Sequence, residues 1–424
     1  MVGQRIKEVR LSLGLSQAQV AGEELSRSYI GAVESGRVNP SLDKLKLIAE
    51  RLGKPVSFFV PDELEILSDR LEAMLSQATA LVGVKEWTQA KALFDECQQA
   101  YSEVARPSVR ALYLEVRAEL ELLGSGVLKS VDSYKAAAQA YKAASLPASA
   151  SKCLYTAAMQ LYIANHVSYA SFVALEALET IEPDEGLVDE LAKTHYLIGC
   201  CYAVLGNSVG ASEHFSLAEE ANCQTTEVSI KALIGKASCF GRQNDWARAL
   251  KHAQKAASLA SKSQLNWLKA EALIGAAVCL VNMHNVTRAG KLLSELSHIP
   301  QLTSDIKRKA YREVILALSE LNLTEASQPY EQELQKLMDE PREVEEWEQL
   351  KDSWAITKCS LLRNPAEVMK VVSLFSQSFI KLARYRDAAD VLSFGAELLE
   401  QQGRPGEALE LMKAACDLYK GRPQ

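Results

Sequence analysis

At 424 residues the chain is longer than a single hydrophobic core normally supports, so we expect two or more structural units. The net charge of −7 excludes a chain that binds polyanions along its whole length. Gly (21) and Pro (12) are sparse, which favours long helices over a turn-rich β protein.

The first predicted helix places Ile6, Val9 and Leu13 at helical spacing, and Gly14 can close it in the left-handed conformation. A second, short helix runs from Gln17 to about Gly22. Ser16 and Gln19, three residues apart, have the pattern of a capping box for it.

Three more short helices follow in the first 64 residues. Ser26 caps a third helix that ends at Gly36, and Ser41 caps a fourth that ends at Gly53. The stretch VSFFV (56–60) predicts a last short helix. The predicted buried residues of these helices, and of the second, are Val20, Ala21, Ile30, Val33, Leu45, Ile48, Ala49 and Leu52.

Five short helices with a tight second-to-third connection describe a helix-turn-helix module. The stretch RIKEVRLSLGLSQAQVA, with SRSYIGAVESGRVNPSLDKLKLIAERLGKPVSFFV after it, resembles the Xre or Cro/C1 repressor-like family over about residues 3–62. That family usually carries Gly at the turn position occupied here by Leu25, so we expect Gly22 to take the permissive backbone role.

The resemblance implies that the third helix enters the major groove of DNA. Arg27 and Ser28 would read base edges, Arg27 by pairing with guanine, and Ala32 could contact a thymine methyl group. The alternative, that Ser26 only caps and Arg27 is only solvated, stays open at this point. The DNA-binding residues that the resemblance implies are Gln17, Ser26, Arg27, Ser28, Tyr29, Ala32, Arg37 and Asn39.

From residue 66 the chain reads as successive helix pairs. In 187–222, Gly199, Tyr202, Gly206, Ala211, Phe215 and Ala218 have the spacing of a tetratricopeptide repeat. Such pairs cannot bury their apolar faces alone, so they stack into a solenoid. We therefore predict an all-α protein: a λ-repressor-like domain over 1–64, then a right-handed tetratricopeptide solenoid over 65–424. Its nine pairs are predicted near 66–105, 107–145, 149–182, 187–222, 225–261, 266–298, 304–339, 343–382 and 386–420.

The first helix of each pair should line the inner groove of such a solenoid. The register predicts a basic row (Lys152, Lys193, Lys231 and Arg242) beside aromatic, aliphatic and amide groups, which suits an extended peptide. These Lys residues could instead only solvate the inner face. The predicted peptide-binding residues are Lys152, Tyr155, Tyr162, Lys193, Tyr196, Lys231, Arg242 and Asn282, and the same register includes Met159, Cys200, Ala203, Ile234, Ser238, Glu271, Ile274 and Val278.

Patterns of catalysis and metal binding are missing from the sequence. The six His form no HExxH motif, the nine Cys form no CxxC motif, and no GxGxxG, GxxxxGK[ST] or GxSxG occurs. We read the acidic run EPREVEEWEQ (340–349) as a solvated helix start. The expectations are no enzyme activity, no cofactor and no metal. Scattered Cys, no signal peptide and no membrane span predict a reduced, cytoplasmic protein.

A repressor-like module followed by about nine tetratricopeptide pairs resembles the peptide-sensing regulators of Gram-positive bacteria, the group that includes Rap, Rgg, NprR, PlcR and PrgX. The resemblance implies a homodimer held by the repeats, a double-stranded DNA operator, and a short signalling peptide that alters the dimer or oligomer. The alternatives are a repeat scaffold that sequesters a signalling or sporulation phosphorelay protein, and a DNA-binding protein with another ligand or none.

Overall fold

The computed structural model describes residues 2–59, 63–101, 106–124, 126–181, 187–221, 226–296, 298–339 and 345–420. These residues form 22 α-helices (α1–α22) and 3₁₀ turns at Val56–Phe58 and Pro365–Glu367, with no strand in the described ranges. The all-α class is confirmed. Contacts divide the chain into two units, Met1–Glu182 and Pro183–Gln424.

The first unit opens with four short helices: α1 (Val2–Ser12), α2 (Gln17–Ala21), α3 (Arg27–Glu34) and α4 (Leu42–Arg51). The predicted fifth element is the 3₁₀ turn at Val56–Phe58, and Val60 lies outside the described residues. All eight residues predicted to be buried in these helices are buried, and Ile6 and Phe59 complete their core. The Ser16–Gln19 capping box is present, as the sequence predicted.

The structure differs from the local sequence pattern of this domain at two places. Leu13 is 51% exposed, because α1 ends at Ser12 and the chain turns at Gly14; Arg10 is the second buried residue of α1. Ser41 occupies the N-cap of α4 but makes no capping hydrogen bond through its side chain.

Six longer helices complete the first unit as three pairs, in each of which two helices consecutive in the chain pack together. The predicted division at residues 64 and 65 lies inside the first of them, and the domain boundary stays a prediction. These helices are α5 (Glu63–Gly83), α6 (Trp87–Tyr101), α7 (Pro107–Gly124), α8 (Val127–Ala143), α9 (Pro147–Ile163) and α10 (Val167–Thr180).

The second unit holds six further helix pairs, so all nine predicted pairs are found in the described residues. Their helices are α11 (Val188–Val204), α12 (Ser208–Glu220), α13 (Thr226–Arg242), α14 (Trp246–Lys262), α15 (Asn266–Asn282), α16 (Val286–Leu296), α17 (Ser304–Glu320), α18 (Thr324–Met338), α19 (Glu346–Arg363), α20 (Val368–Lys381), α21 (Tyr385–Gln401) and α22 (Pro405–Tyr419).

The pair α11–α12 shows why small residues recur at fixed places. Phe215 and Ala211 of α12 are fully buried, and a Cβ atom added at Gly199 would lie 2.7 Å from the Phe215 ring. Gly206, in the turn, has a φ of 84°. The interlock predicted from the repeat spacing is confirmed for this pair.

Candidate nucleic-acid interface and repeat groove

The turn between α2 and α3 is held by α4. Gly22 has φ 59° and ψ −147°, a region that essentially only glycine adopts. The Arg51 guanidinium packs against it and donates hydrogen bonds to the carbonyls of Val20 (3.2 Å) and Ala21 at the end of α2. Leu25 is partly buried against the domain core, and Gly22, not Leu25, has the positive φ of this turn, as expected from the sequence.

A buried ionic contact fixes α3 against α1 and α2. Arg10 Nε lies 2.5 Å from Glu34 Oε1, and Arg10 Nη1 donates to the Leu15 carbonyl at 2.8 Å. Gln17 Nε2 donates to Glu34 Oε2 at 2.7 Å. Burial opposes ionisation of Glu34, but the hydrogen bonds from Arg10 and Gln17 outweigh it and lower the pKa of the carboxyl group.

Gln17 is therefore a helix-orienting residue in this structure, since one N–H of its amide is engaged by Glu34. A contact of Gln17 with a phosphate stays a prediction.

The outer face of α3 carries the predicted base readers. Ser26 caps the helix by accepting from the Tyr29 backbone N–H at 3.1 Å, and its Oγ lies 2.9 Å from Ser28 Oγ. Arg27 and Ser28 are exposed, while Tyr29 and Ala32 are half-buried. Arg27, at the start of α3, and Arg37, three residues after its end, form no ion pair with any described residue. This region thus presents two exposed guanidinium groups and the hydroxyl groups of Ser26 and Ser28.

The remaining residues of this predicted interface lie around it. Asn39 is exposed in the loop after α3, and the Lys44 ammonium group lies 4.5 Å from the centroid of the Tyr29 ring. Lys44 was not among the sequence-predicted residues. Its position follows from the packing of α4 and not from any local motif.

In the first unit the predicted groove residues lie on α9. Lys152 is exposed, and Tyr155, Met159 and Tyr162 are half-buried. Spacings of three and four residues place them along one side of the helix.

The predicted groove residues of the second unit have mixed surroundings. Lys231 pairs with Glu227 at 2.6 Å, and its ammonium group lies 5.1 Å from the centroid of Trp267. Arg242 of α13 donates to the Ala203 carbonyl of α11. The ring centroid of Tyr196 lies 5.7 Å from that of Phe215. Lys193 is half-buried.

Asn282 donates from Nδ2 to the Val278 carbonyl of its own helix at 3.0 Å. Its contact with a peptide stays a prediction.

A cavity of about 460 Å³ opens between α13, α15 and α17. Its walls contain six residues of the predicted groove register: Ile234, Ser238, Arg242, Glu271, Ile274 and Val278. Lys309 of α17 closes one side and pairs with Glu271 at 2.6 Å. The structure thus brings register residues of two first helices, α13 and α15, together around one apolar floor with charged edges.

A second cavity, of about 540 Å³, lies between α17, α19 and α21. Its walls repeat the i, i+3, i+7 spacing of the register in Lys351, Trp354 and Lys358 and again in Asp390, Ser393 and Glu397. Glu313 belongs to the walls of both cavities. The predicted register ended at α15. The same i, i+3, i+7 spacing, continued into α19 and α21, predicts the residues that line this second cavity.

The groove of the second unit has mixed charge, because Lys231 and Lys309 each pair with a glutamate. Ligand binding by the predicted basic row stays a prediction. The second cavity has more carboxylates than cations: Glu313, Glu320, Asp387, Asp390 and Glu397 against Arg312, Lys351 and Lys358.

A buried charge cluster joins α17 to α19. Arg308 Nε donates to Asp352 Oδ2 at 2.7 Å, and Arg312 Nη1 donates to Asp352 Oδ1 at 2.9 Å and to Glu348 at 2.5 Å. The Asp352 side chain is 1% exposed. Glu348 therefore pairs across helices and is not simply solvated, which corrects the reading of the acidic run; residues 340–344 of that run lie outside the described residues.

Two histidines contact each other between α11 and α12. His195 Nδ1 lies 3.0 Å from His214 Nδ1 between α11 and α12, and burial together with His214 lowers the pKa of His195 to about 4. Within the described ranges, no group of three or more His, Cys, Asp or Glu could hold a metal ion. None of the described helices is long and apolar enough to cross a membrane.

Comparison with known proteins bears first on the N-terminal part. Residues 6–59 match the helix-turn-helix family. The N-terminal segment is a helix-turn-helix domain. It is 44% identical over 72 residues to the immunity repressor protein of Bacillus phage phi105, an alignment that covers 17% of this chain. The match spans 50% of that repressor's length.

Solved structures show the fold of the rest. The apo form of RapI superposes with a TM-score of 0.57 at 12% identity, over 82% of this chain and 97% of RapI. A Rap protein complexed with Competence and Sporulation Factor gives 0.50 at 14% identity, over 84% and 98%. Apo NprR from B. thuringiensis gives 0.50 at 13% identity, over 83% and 99%. At these identities the similarity shows the fold alone. At the level of the fold, it confirms the resemblance to the peptide-sensing regulators that the sequence predicts.

Proposed function

We propose that this protein is a sequence-specific DNA-binding transcriptional regulator whose repeats bind a short extended peptide. The observation that carries the DNA-binding half is the exposed face of α3, with Arg27 and Ser28 available on a helix-turn-helix domain that is 44% identical to a phage repressor. Bidentate pairing of Arg with guanine is worth about 1–3 kcal/mol of discrimination.

One helix-turn-helix makes few phosphate contacts, so useful affinity requires two copies on a site of two half-sites. The protein therefore acts as a homodimer on a double-stranded operator. Arg37 and Asn39, both exposed beside α3, hold the DNA backbone, and Ser26 and Gln17 lie at helix starts that face phosphates.

The peptide half rests on the two cavities of the second unit. Their volumes, about 460 and 540 Å³, lie within the range of about 300–1,000 Å³ typical of ligand sites. Ile234, Ile274 and Val278 give the first cavity an apolar floor. Trp354 and the excess of carboxylates make the second suited to a basic side chain. An extended peptide that carries an apolar and then a basic side chain fits this order.

Peptide binding changes the spacing or pairing of the two DNA-binding domains, as a shift between two populations of the dimer. The size of that shift is limited by the difference in peptide affinity between the two populations.

A peptide selection tests this proposal. Full-length protein is incubated with a random heptapeptide library, and the retained peptides are identified by mass spectrometry and titrated by calorimetry. We expect enrichment of sequences with one apolar and one basic residue. Ile274→Trp, which fills the first cavity, should weaken binding at least tenfold, whereas Val209→Trp, on the exposed face of α12, should not. No enrichment, or equal affinity of both variants, would contradict the peptide half and leave DNA binding untouched.

A further inference from the structure

Helix α14 carries a row of exposed cations and no carboxylate of its own. Arg248, Lys251, Lys255 and Lys262 are all exposed, and no Asp or Glu occurs within the helix. At 3.6 residues per turn these four positions fall within about 60° of arc, and they extend about 21 Å along the helix axis. They lie on the side opposite the buried alanines of α14, and we call this row the basic stripe.

Carboxylates of neighbouring elements neutralise only part of the basic stripe. Arg248 pairs with Asp245, which precedes the helix. Lys255 pairs with Glu219 of α12, but the other oxygen of that carboxylate lies 3.0 Å from the ammonium group of Lys236. The remaining two lysines of the stripe form no ion pair with any described residue. The stripe therefore keeps a net positive charge in a chain whose net charge is −7.

Helix α16 extends this positive surface. Leu250 of α14 and Leu292 of α16 pack against the same small cluster of buried alanines, so the two helices meet there. Arg288 and Lys291 of α16 are exposed, and neither forms an ion pair with another described residue. The two helices together carry six Lys or Arg side chains and one glutamate.

The residues between the cations favour phosphate groups over an acidic protein as the partner. The exposed positions along α14 are small or polar, such as Gln254, Ser258 and Ser261, and no exposed large apolar residue lies on α14 or α16. Protein interfaces depend on apolar or aromatic anchors, whereas Lys, Arg, Ser and Gln side chains are the usual contacts to a DNA backbone.

The dimensions of the stripe also suit a duplex. A row of 21 Å spans about six phosphate groups of one strand, at about 3.4 Å of helix axis per phosphate. Single-stranded nucleic acid is bound with base stacking on aromatic side chains, and neither helix has an exposed aromatic ring.

We propose that the basic stripe, together with Arg288 and Lys291, binds the phosphate backbone of duplex DNA without regard to base sequence. Such a contact adds affinity for every duplex and discrimination between none, and it lets a protein slide and hop along DNA. The inference rests on the proposed function only in that DNA is the ligand. It uses residues of the repeat region and none of α3, so the two can fail separately.

A salt titration of full-length protein on a duplex of unselected sequence is the first test. Lys251→Gln combined with Lys262→Gln removes two exposed cations that have no ion pair. The plot of log K against log salt concentration should become shallower by about 2, and binding at about 0.1 M salt should weaken at least tenfold. Lys381→Gln combined with Lys413→Gln removes two exposed lysines from α20 and α22 and should change neither quantity. An unchanged slope in the α14 variant, or an equal loss in the control, would overturn the inference.

Lysine acetylation of the wild-type protein gives an independent readout. A duplex of unselected sequence should slow acetylation of Lys251 and Lys262, located by mass spectrometry, and should leave Lys381 and Lys413 as reactive as before. Polyglutamate at the same concentration of charge should protect the two α14 lysines less than the duplex does. Equal protection by polyglutamate would assign this surface to an acidic protein and overturn the inference.

Lys44, exposed beside α3, separates this inference from the proposed function in the same experiment. Protection of Lys44 together with Lys251 and Lys262 supports both DNA contacts. Protection of Lys44 alone supports DNA binding by α3 and overturns the contact by the basic stripe. Protection of the two α14 lysines alone supports the basic stripe and counts against α3.

Discussion

At the scale of single residues, Gly22 decides whether the helix-turn-helix can form. Its backbone occupies a region closed to other residues, and a Cβ atom there would lie 2.3 Å from Cζ of Arg51. Arg51 cannot move without releasing the α2 carbonyls that it binds. Both the backbone and the neighbour therefore require glycine.

We predict that Gly22→Ala lowers the opening free energy of α2 and α3 by about 3 kcal/mol, from backbone strain plus the displaced Arg51. Gly14→Ala is the matched control: Gly14 also has positive φ (67°), but nothing lies within 4 Å of its added Cβ. Its cost should be about 1 kcal/mol. Hydrogen exchange on the full chain measures both. Equal losses of opening free energy in the two variants would show that the Arg51 side chain moves aside without a measurable cost.

Arg27 is the residue on which sequence specificity depends. Arg27→Ala should reduce specific DNA binding by about 1–3 kcal/mol and relax preference at one base pair. Arg27→Lys separates reading from charge, because lysine keeps the charge but loses the bidentate geometry. If Arg27 pairs with guanine, both variants lose the preference for that base pair over the others. Retention of discrimination by Arg27→Lys in anisotropy titrations would reduce Arg27 to a phosphate contact.

At the scale of helices, substitutions at two glycines separate the effect of side-chain packing on stability from the effect of helix propensity. A Cβ at Gly199 would meet the Phe215 ring at 2.7 Å, whereas a Cβ at Gly275, in α15, meets nothing within 4 Å. Gly199→Ala should destabilise the second unit by about 1–3 kcal/mol through overpacking. Gly275→Ala should stabilise it by about 0.5–1 kcal/mol through helix propensity. Urea unfolding should show opposite shifts; shifts of one sign would contradict the interlock.

The buried charges between α17 and α19 make a second helix-scale prediction. Asp352→Asn leaves Arg308 and Arg312 short of a buried countercharge and should cost about 3–5 kcal/mol. Asp305→Asn, which removes a carboxylate that is 69% exposed from the same cluster, should cost under about 1 kcal/mol. Thermal unfolding compares the two. A mild effect of Asp352→Asn would mean that Glu348 alone can neutralise both guanidinium groups.

The positions of the helices, and the neighbouring helix against which each one packs, were predictable from sequence. Both depend on residues that are close together in the chain. The Ser16–Gln19 cap joins residues three apart in the chain, and the Gly206 turn and the fit of Gly199 against Phe215 lie within the pair α11–α12. Local pattern failed where a distant residue decides the outcome. Arg10 is buried in place of Leu13 because it meets Glu34, 24 residues away, and Arg308 meets Asp352 across 44 residues.

The candidate sites divide in the same way. The exposure of Arg27 and Ser28 on α3 was predictable because a helix-turn-helix presents fixed positions of one short motif. The groove register predicted residues of α13 and α15 that line one cavity, but it did not predict how their charges are paired. Pairing of Lys231 with Glu227 and of Lys309 with Glu271 depends on side-chain placement that spacing alone does not supply.

At the scale of the whole molecule, each chain combines one DNA-binding domain with a repeat region. We propose that the repeat region binds a ligand and pairs two chains. Nine helix pairs are more than any DNA contact needs. A repeat array of that length is suited to an extended partner, since its ligand surface grows with each added pair. We thus predict that two chains bind the DNA site together and that a single chain binds it with lower affinity.

Selection of duplexes from a random library by the full-length protein, followed by the mass of the complex on the enriched duplex, tests this claim most directly. We expect a two-fold symmetric site with half-sites about 34 Å apart or a multiple of that spacing, occupied by two chains. Binding should weaken steeply as salt is raised. No enriched sequence, or a single chain bound to an asymmetric site with full affinity, would contradict the account.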